Sequence, residues 1–160
     1  MGKTNNGGVI NLINFVRESN QIEGITRVLT YEIKAHKKLL ALSEITIPDL
    51  EAFVATIAQG AVLRRQVGLD VRVANHVAPR GGPDIEIALG DILGNIKHGR
   101  KESYATHLRY EYLHPFTDGN GRSGRVLWLW QRRGEAPLGF LHHFYYDTLD
   151  ATILDEYNAS

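Results

Sequence analysis

Residues 114–125 read His114-Pro115-Phe116-Thr117-Asp118-Gly119-Asn120-Gly121-Arg122-Ser123-Gly124-Arg125. Pro115 disfavours helical angles at His114, so a preceding helix is expected to end there. Gly119-Asn120-Gly121 offers backbone angles that side-chain-bearing residues reach only at a cost. Such a turn aims successive N–H groups into one concavity, an anion nest. A helix is expected directly behind it, from about Arg122, adding free N–H donors and a positive dipole end. Arg122 and Arg125 lie three apart on that helix and share a face near its start. Two guanidinium forks beside an anion nest suit a polyphosphate chain. Asp118, at the mouth of the loop, is a candidate ligand for Mg²⁺, which is usually held by one or two carboxylates plus phosphate oxygens. His114 is a candidate general base, because an unperturbed imidazole titrates near neutral pH. Any one of these residues fits an ordinary Gly-rich interhelical turn; the whole set within one short loop does not.

Outward from this loop, helical spacing dominates. Val9-Ile10, Leu12-Ile13 and Val16 predict a short amphipathic helix to about Asn20, after a polar tail over residues 1–8. A second helix is expected from Thr26 to Leu42, with Val28, Leu29, Ile33, Leu39 and Leu40 inward and Lys34, Lys37 and Lys38 in water. Pro48-Asp49 suits a helix start, and Leu50, Phe53, Val54, Ile57, Ala58, Ala61 and Val62 continue the apolar face towards a stop at Gly68. Val71–Val77 alternates and reads as a short extended piece, followed by a break at Pro79–Pro83. Further helices are expected over about 84–98, 103–113, 122–133 and 138–157, with Gly134 and Pro137 as stop signals. The class is therefore mainly α: a single domain of six to eight helices with one short extended segment.

The chain has 160 residues, enough for one compact domain with its own core. Lys+Arg and Asp+Glu both total 18, so no broad basic surface for nucleic acid is expected and any anion site must be local. The absence of cysteine excludes disulfides, thiolate chemistry and Cys-ligated metals. No apolar run approaches the ~20 residues of a membrane span, and the polar N-terminus lacks a signal layout. A cytoplasmic protein with no membrane partner is expected.

The 114–125 stretch resembles the signature of the Fic family, His-Pro-Phe-x-Asp/Glu-Gly-Asn-Gly-Arg-x-x-Arg, at every fixed position. At average residue usage, eight invariant positions would match by chance on the order of 10⁻¹⁰ per site. The resemblance implies a Fic fold over residues 9–160, with a β-hairpin flap, and transfer of AMP from ATP to a protein hydroxyl with Mg²⁺ as cofactor. It implies His114 as the base, Phe116 as the buried anchor of the loop and Asp118 as the metal ligand. Gly119, Asn120 and Gly121 would cradle the α- and β-phosphates, with Arg122 on the β- and Arg125 on the γ-phosphate. The related Doc proteins depart from the Gly-Asn-Gly-Arg core, which this chain keeps.

Residues 19–24, Ser19-Asn20-Gln21-Ile22-Glu23-Gly24, resemble the family's inhibitory motif, Ser/Thr-x-x-x-Glu-Gly/Asn. By that match, with Ser19, Glu23 and Gly24 at the fixed positions, an inhibitory helix occupies about residues 9–24. Its Glu23 pairs with Arg125 and competes with the γ-phosphate for the guanidinium fork. The Arg72–Pro83 stretch falls where the family places its flap, which binds an extended target segment by strand addition. Tyr145 and Tyr146 fall where the family often carries aromatics near the adenine pocket. His107 reads as a packed structural histidine, and Trp128 and Trp130 as core and partner-facing aromatics. His142-His143 reads as a surface or packing pair.

The expected function is a protein adenylyltransferase autoinhibited by Glu23. Its partners would be ATP and a protein bearing a Tyr, Ser or Thr hydroxyl, the chain itself included; a homo-oligomer is compatible with the sequence. A de-AMPylating enzyme using the same residues is the alternative. A non-catalytic nucleotide-binding module is the alternative from another class, and it would not need His114.

Overall fold

A computed structural model describes residues 11–73, 75–96 and 100–132. The expected tail at 1–8, the helix over 138–157 and, with it, His142, His143, Tyr145 and Tyr146 lie outside the described residues. Among the described residues the order is α1 (Leu12–Ile22), α2 (Thr30–Leu40), α3 (Ile47–Ile57), β1 (Arg72–Val73), β2 (His76–Val77), α4 (Pro83–Asn95), α5 (Arg100–Leu113) and α6 (Asn120–Gln131). The chain is mainly α, as its spacing predicts. No described helix is long and apolar enough to cross a membrane.

The last helix of this set, α6, is the centre of the domain. Every residue from Arg122 to Gln131 is buried. A helix enclosed on all sides must be covered all round by other elements. Leu50, Phe53, Val54, Ile57, Leu89, Tyr110, Val126, Leu127 and Trp130 share the main core, while Phe15, Trp128 and Leu129 form a second cluster under α1. Both tryptophans are therefore interior, so the expected partner-facing role falls away; the Trp130 indole N–H donates to the Leu42 carbonyl at 2.9 Å. The close approach of α5 to α6 depends on Gly124, where a Cβ would come within 3.0 Å of the Tyr110 ring and 3.2 Å of His107. The Tyr110 and Ser123 hydroxyls, 2.6 Å apart, pin the same contact.

The ends of α1 and α2 are set by side chains. Asn11 caps α1 by accepting from the Asn14 N–H. Gly24, at φ +78°, is the left-handed residue that closes it. Buried Asn20 donates to the Arg27 carbonyl and to Glu32, and Glu32 in turn accepts from the Leu29 N–H. This locks residues 25–29 as a turn, so α2 begins at Thr30 rather than Thr26. Its buried face is Glu32, His36 and Leu39, while Lys34, Lys37 and Lys38 are exposed as expected.

The extent of the third helix also needs correction. α3 stops at Ile57 rather than continuing towards Gly68. Gly60 has φ +87°, and the chain beyond it runs extended against the 115–117 loop. There Leu63 forms an antiparallel bridge to Phe116, Arg64 N–H donates to the Pro115 carbonyl, and Thr117 N–H to the Val62 carbonyl. The backbone bonds of the signature loop thus claim a segment whose apolar spacing read as helix. Within Val71–Val77, whose alternation alone reads as one extended piece, Arg72 pairs with Val77 and Val73 with His76, the β-hairpin that the family resemblance implied. The turn lies between them, and the Pro79–Pro83 break instead leads into α4.

Candidate active site

His114 follows the last residue of α5, with its N–H donating to the Tyr110 carbonyl at 2.8 Å. It is the one described non-glycine residue with positive φ, at +50°, an angle that Pro115 does not itself impose, since a proline drives the residue before it towards extended angles. Burial holds the ring well below its ordinary value, at about 4, against an opposing influence of the Glu111 carbonyl, while Arg64 and His76 add to the lowering. The imidazole is therefore neutral at pH 7, with a lone pair to accept a proton.

Phe116 is buried and closes the core beneath the loop, as expected. The Asn120 side chain is committed to the loop: Oδ1 accepts from the Phe116 N–H and Nδ2 donates to the Phe116 carbonyl, both at 2.8 Å. Asn120 therefore shapes the turn with its amide, leaving only its backbone N–H for an anion. The strained angle falls on Gly119 alone (φ +78°), where a Cβ would also meet Ala58 at 3.1 Å. Gly121 lies inside α6, which starts at Asn120, and it is small for another reason: a Cβ there would strike Glu23 Oε2 and lie 3.0 Å from Arg125 Nη1. The N–H groups of residues 120–122 open the helix and have no carbonyl within it to bind.

Arg125 is buried. Its Nε donates to Ser19 Oγ at 2.8 Å, and its Nη2 donates to the Ser19 carbonyl at 3.0 Å and to Glu23 Oε2 at 2.7 Å. The two sequence motifs thus meet in one ion pair. Arg122 behaves differently. It is buried, and its Nη1 donates to the Ile57 carbonyl at 2.8 Å, at the C-terminus of α3. It does not line the cavity described next, so the two arginines expected to act together are separated here.

A cavity of about 430 Å³ is lined by Glu23, Glu111, His114, Asp118, Gly119–Gly121 and Arg125, with Arg72 from the hairpin at its rim. Asp118 is exposed at its mouth, with Oδ1 accepting from the Gly119 N–H at 2.8 Å. The described residues form no cluster of three or more acidic or histidine ligands. The single exposed carboxylate of Asp118 could hold a cation of the Mg²⁺ type, which completes its shell with water and phosphate oxygens.

Glu111, on the buried face of α5, is a residue that spacing did not single out. It lines the cavity, and its Oε1 has no hydrogen-bond partner. Burial pushes its carboxyl up to about 7; nearby Arg125 opposes this and nearby Glu23 reinforces it. A buried glutamate in a polar helix gives no sequence signal. His107 is the packed histidine that was expected: buried against Gly124, it is held down at about 3.

Fold and site together define a mainly α domain whose central buried helix opens, behind a Gly-rich loop, onto a polar cavity facing a neutral histidine. A family model described as "Fic/DOC family" matches residues 33–131, and the chain belongs to the Fic/DOC family. It is 31% identical over 151 residues to "Protein adenylyltransferase Fic" of Nematostella vectensis, covering 84% of this chain and 34% of the relative. The chain thus spans about a third of that relative's length. No solved structure matches it.

Proposed function

We propose that this chain is a protein adenylyltransferase that moves AMP from ATP to a protein hydroxyl and is held in check by its own Glu23. The observation that carries the reading is the convergence, around one cavity, of a neutral His114, the exposed Asp118 carboxylate and the N-terminus of α6. The similarity to an adenylyltransferase of Nematostella vectensis points the same way.

In this reading the N–H groups of residues 120–122 and the dipole of α6 bind the phosphate chain. Asp118 holds Mg²⁺, which when bound supplies charge neutralisation on the phosphates. His114 accepts the proton of the target hydroxyl, whose oxygen bonds to the α-phosphorus. The bond from that phosphorus to the bridging oxygen breaks, and pyrophosphate leaves. The protein's contribution is placement and preorganised charge. The hairpin, beside the cavity at Arg72, offers strand edges to an extended target segment.

Glu23 inhibits by occupying Arg125. A γ-phosphate that needs the same fork meets a carboxylate instead, so the triphosphate is displaced and its α-phosphorus is misaligned. Arg122 does not line the cavity, so it reaches a phosphate only by a shift of its side chain. A second reading is favoured by the position of Glu23 on the cavity wall: its carboxylate can orient a water against a protein–AMP phosphodiester, which would make the chain a de-AMPylating or bifunctional enzyme. Mass spectrometry of targets incubated with Mg-ATP tests the first reading. An AMP adduct that is lost in His114→Ala supports it, and a phosphate adduct contradicts it. Release of AMP from a pre-modified target by the native chain would establish the second.

A further inference from the structure

Arg64 lies in the extended segment after α3 and is fully buried. A buried guanidinium ordinarily faces a carboxylate. This one is spent on backbone carbonyls. Nε donates to His114 O at 2.7 Å, Nη2 to Leu113 O at 2.8 Å, and Nη1 to both Leu69 O and Pro79 O at 2.9 Å. Its own backbone N–H donates to Pro115 O at 2.8 Å, and its carbonyl accepts from Gly82 N–H at 2.9 Å.

These partners fall into two groups. Leu113, His114 and Pro115 are the consecutive carbonyls at the end of α5, where a helix leaves acceptors unsatisfied and the dipole favours a cation. They bracket the residue with the left-handed backbone angle, a conformation that persists only when its surroundings over-determine it. Leu69 and Pro79 are the two stems of the hairpin at 72–77. One side chain therefore fixes the base of the hairpin to the backbone of His114. A second tie runs in parallel: the His76 ring lies 4.6 Å from that of Tyr112, with Nε2 3.1 Å from the Tyr112 carbonyl.

We propose that Arg64 is a positioning residue that holds the hairpin and His114 in one register, so that a hydroxyl presented by a target strand on the hairpin meets the histidine ring. This rests on the adenylyltransferase reading. Arg64 makes none of its hydrogen bonds to residues 118–125, so it acts on the meeting of target and base and not on nucleotide affinity.

The test is made in the Glu23→Gly background. Arg64→Lys keeps the charge but cannot cover four carbonyls, and Arg64→Met keeps the volume but none of the donors. For a folded variant, AMP transfer should fall by roughly a hundredfold while the Kd for Mg-ATP, measured calorimetrically without target, changes less than about twofold. Lys should retain more activity than Met. Equal loss of ATP affinity and rate, or an unchanged rate, overturns the proposal. Should both variants unfold, His76→Phe, which keeps the ring packing and removes the bond to Tyr112, should give a weaker form of the same split; no change would overturn it. If Glu23→Gly with native Arg64 transfers no AMP at all, the underlying reading fails first and this inference falls with it.

Discussion

Glu23 Oε2 lies 2.7 Å from Arg125 Nη2, joining side chains 102 positions apart in the sequence. The pair is unequal: the arginine side chain is 4% exposed and the glutamate side chain 36%. The guanidinium is fixed from behind by Ser19 through two further bonds, whereas the carboxylate sits at the C-terminal cap of α1, on the cavity side. A partner at the edge of solvent is the one that a competing anion can displace.

Under the proposed function, Ser19 is thus expected to seat the Glu23–Arg125 contact that would inhibit transfer. Ser19→Ala leaves the Arg125 Nε–H buried without its acceptor, at a cost of about 1–2 kcal/mol. Urea denaturation should show that loss. Labelling by the otherwise native chain should rise above background, though less than on removing Glu23.

Gly119→Ala combines a left-handed φ with a Cβ 3.1 Å from Ala58. The expected penalty is about 2 kcal/mol, read as a lower midpoint in thermal or urea unfolding. The same substitution at Gly94, where a Cβ meets nothing within 4 Å and φ is not positive, should be neutral or stabilising.

The signature loop was the most legible part of the chain, because its chemistry and its turn geometry rest on the same residue types. The Glu23–Arg125 pairing came from the resemblance alone, since spacing cannot join residues so far apart. Other parts misled for identifiable reasons. Ala61 and Val62 continue the apolar spacing of α3, yet Gly60 and the bridge at Leu63 end it. The hairpin turns near Asn75 without a glycine, so alternation alone read as one extended piece and the hairpin came from the resemblance. Arg64 and Glu111 are buried charges, which pattern reasoning places on the surface. Arg122 looked paired with Arg125 by helical spacing, but the nearby C-terminus of α3 offers it a carbonyl.

Burial of His114 makes a claim about pH. A base held near 4 is already neutral at pH 6, whereas an ordinary imidazole would lose about fourfold in kcat/KM between pH 7.5 and 6. In Glu23→Gly/Glu111→Gln, where neither carboxylate titrates nearby, kcat/KM should change less than about twofold over that interval. A fourfold loss would place the histidine in water.

Glu111 acts on stability. Its folded value of about 7 lies above the ordinary 4.5, so the native state holds a proton that the unfolded chain releases. The stabilisation is full below about pH 4.5 and is lost as pH rises through about 7. The stability of Glu111→Gln relative to the native chain should therefore improve between pH 5 and pH 8, by of the order of 3 kcal/mol at most. Urea titrations of both proteins give that difference, in which the buried histidines cancel.

The most direct test of the inhibited-transferase account is incorporation of α-labelled ATP into protein, with Mg²⁺, by the native chain, Glu23→Gly and Glu23→Gly/His114→Ala. The account predicts weak labelling by the native chain, at least a tenfold rise when Glu23 is removed, and none when His114 is removed as well. Labelling by Glu23→Gly no stronger than by the native chain, or labelling that survives the loss of His114, would contradict it.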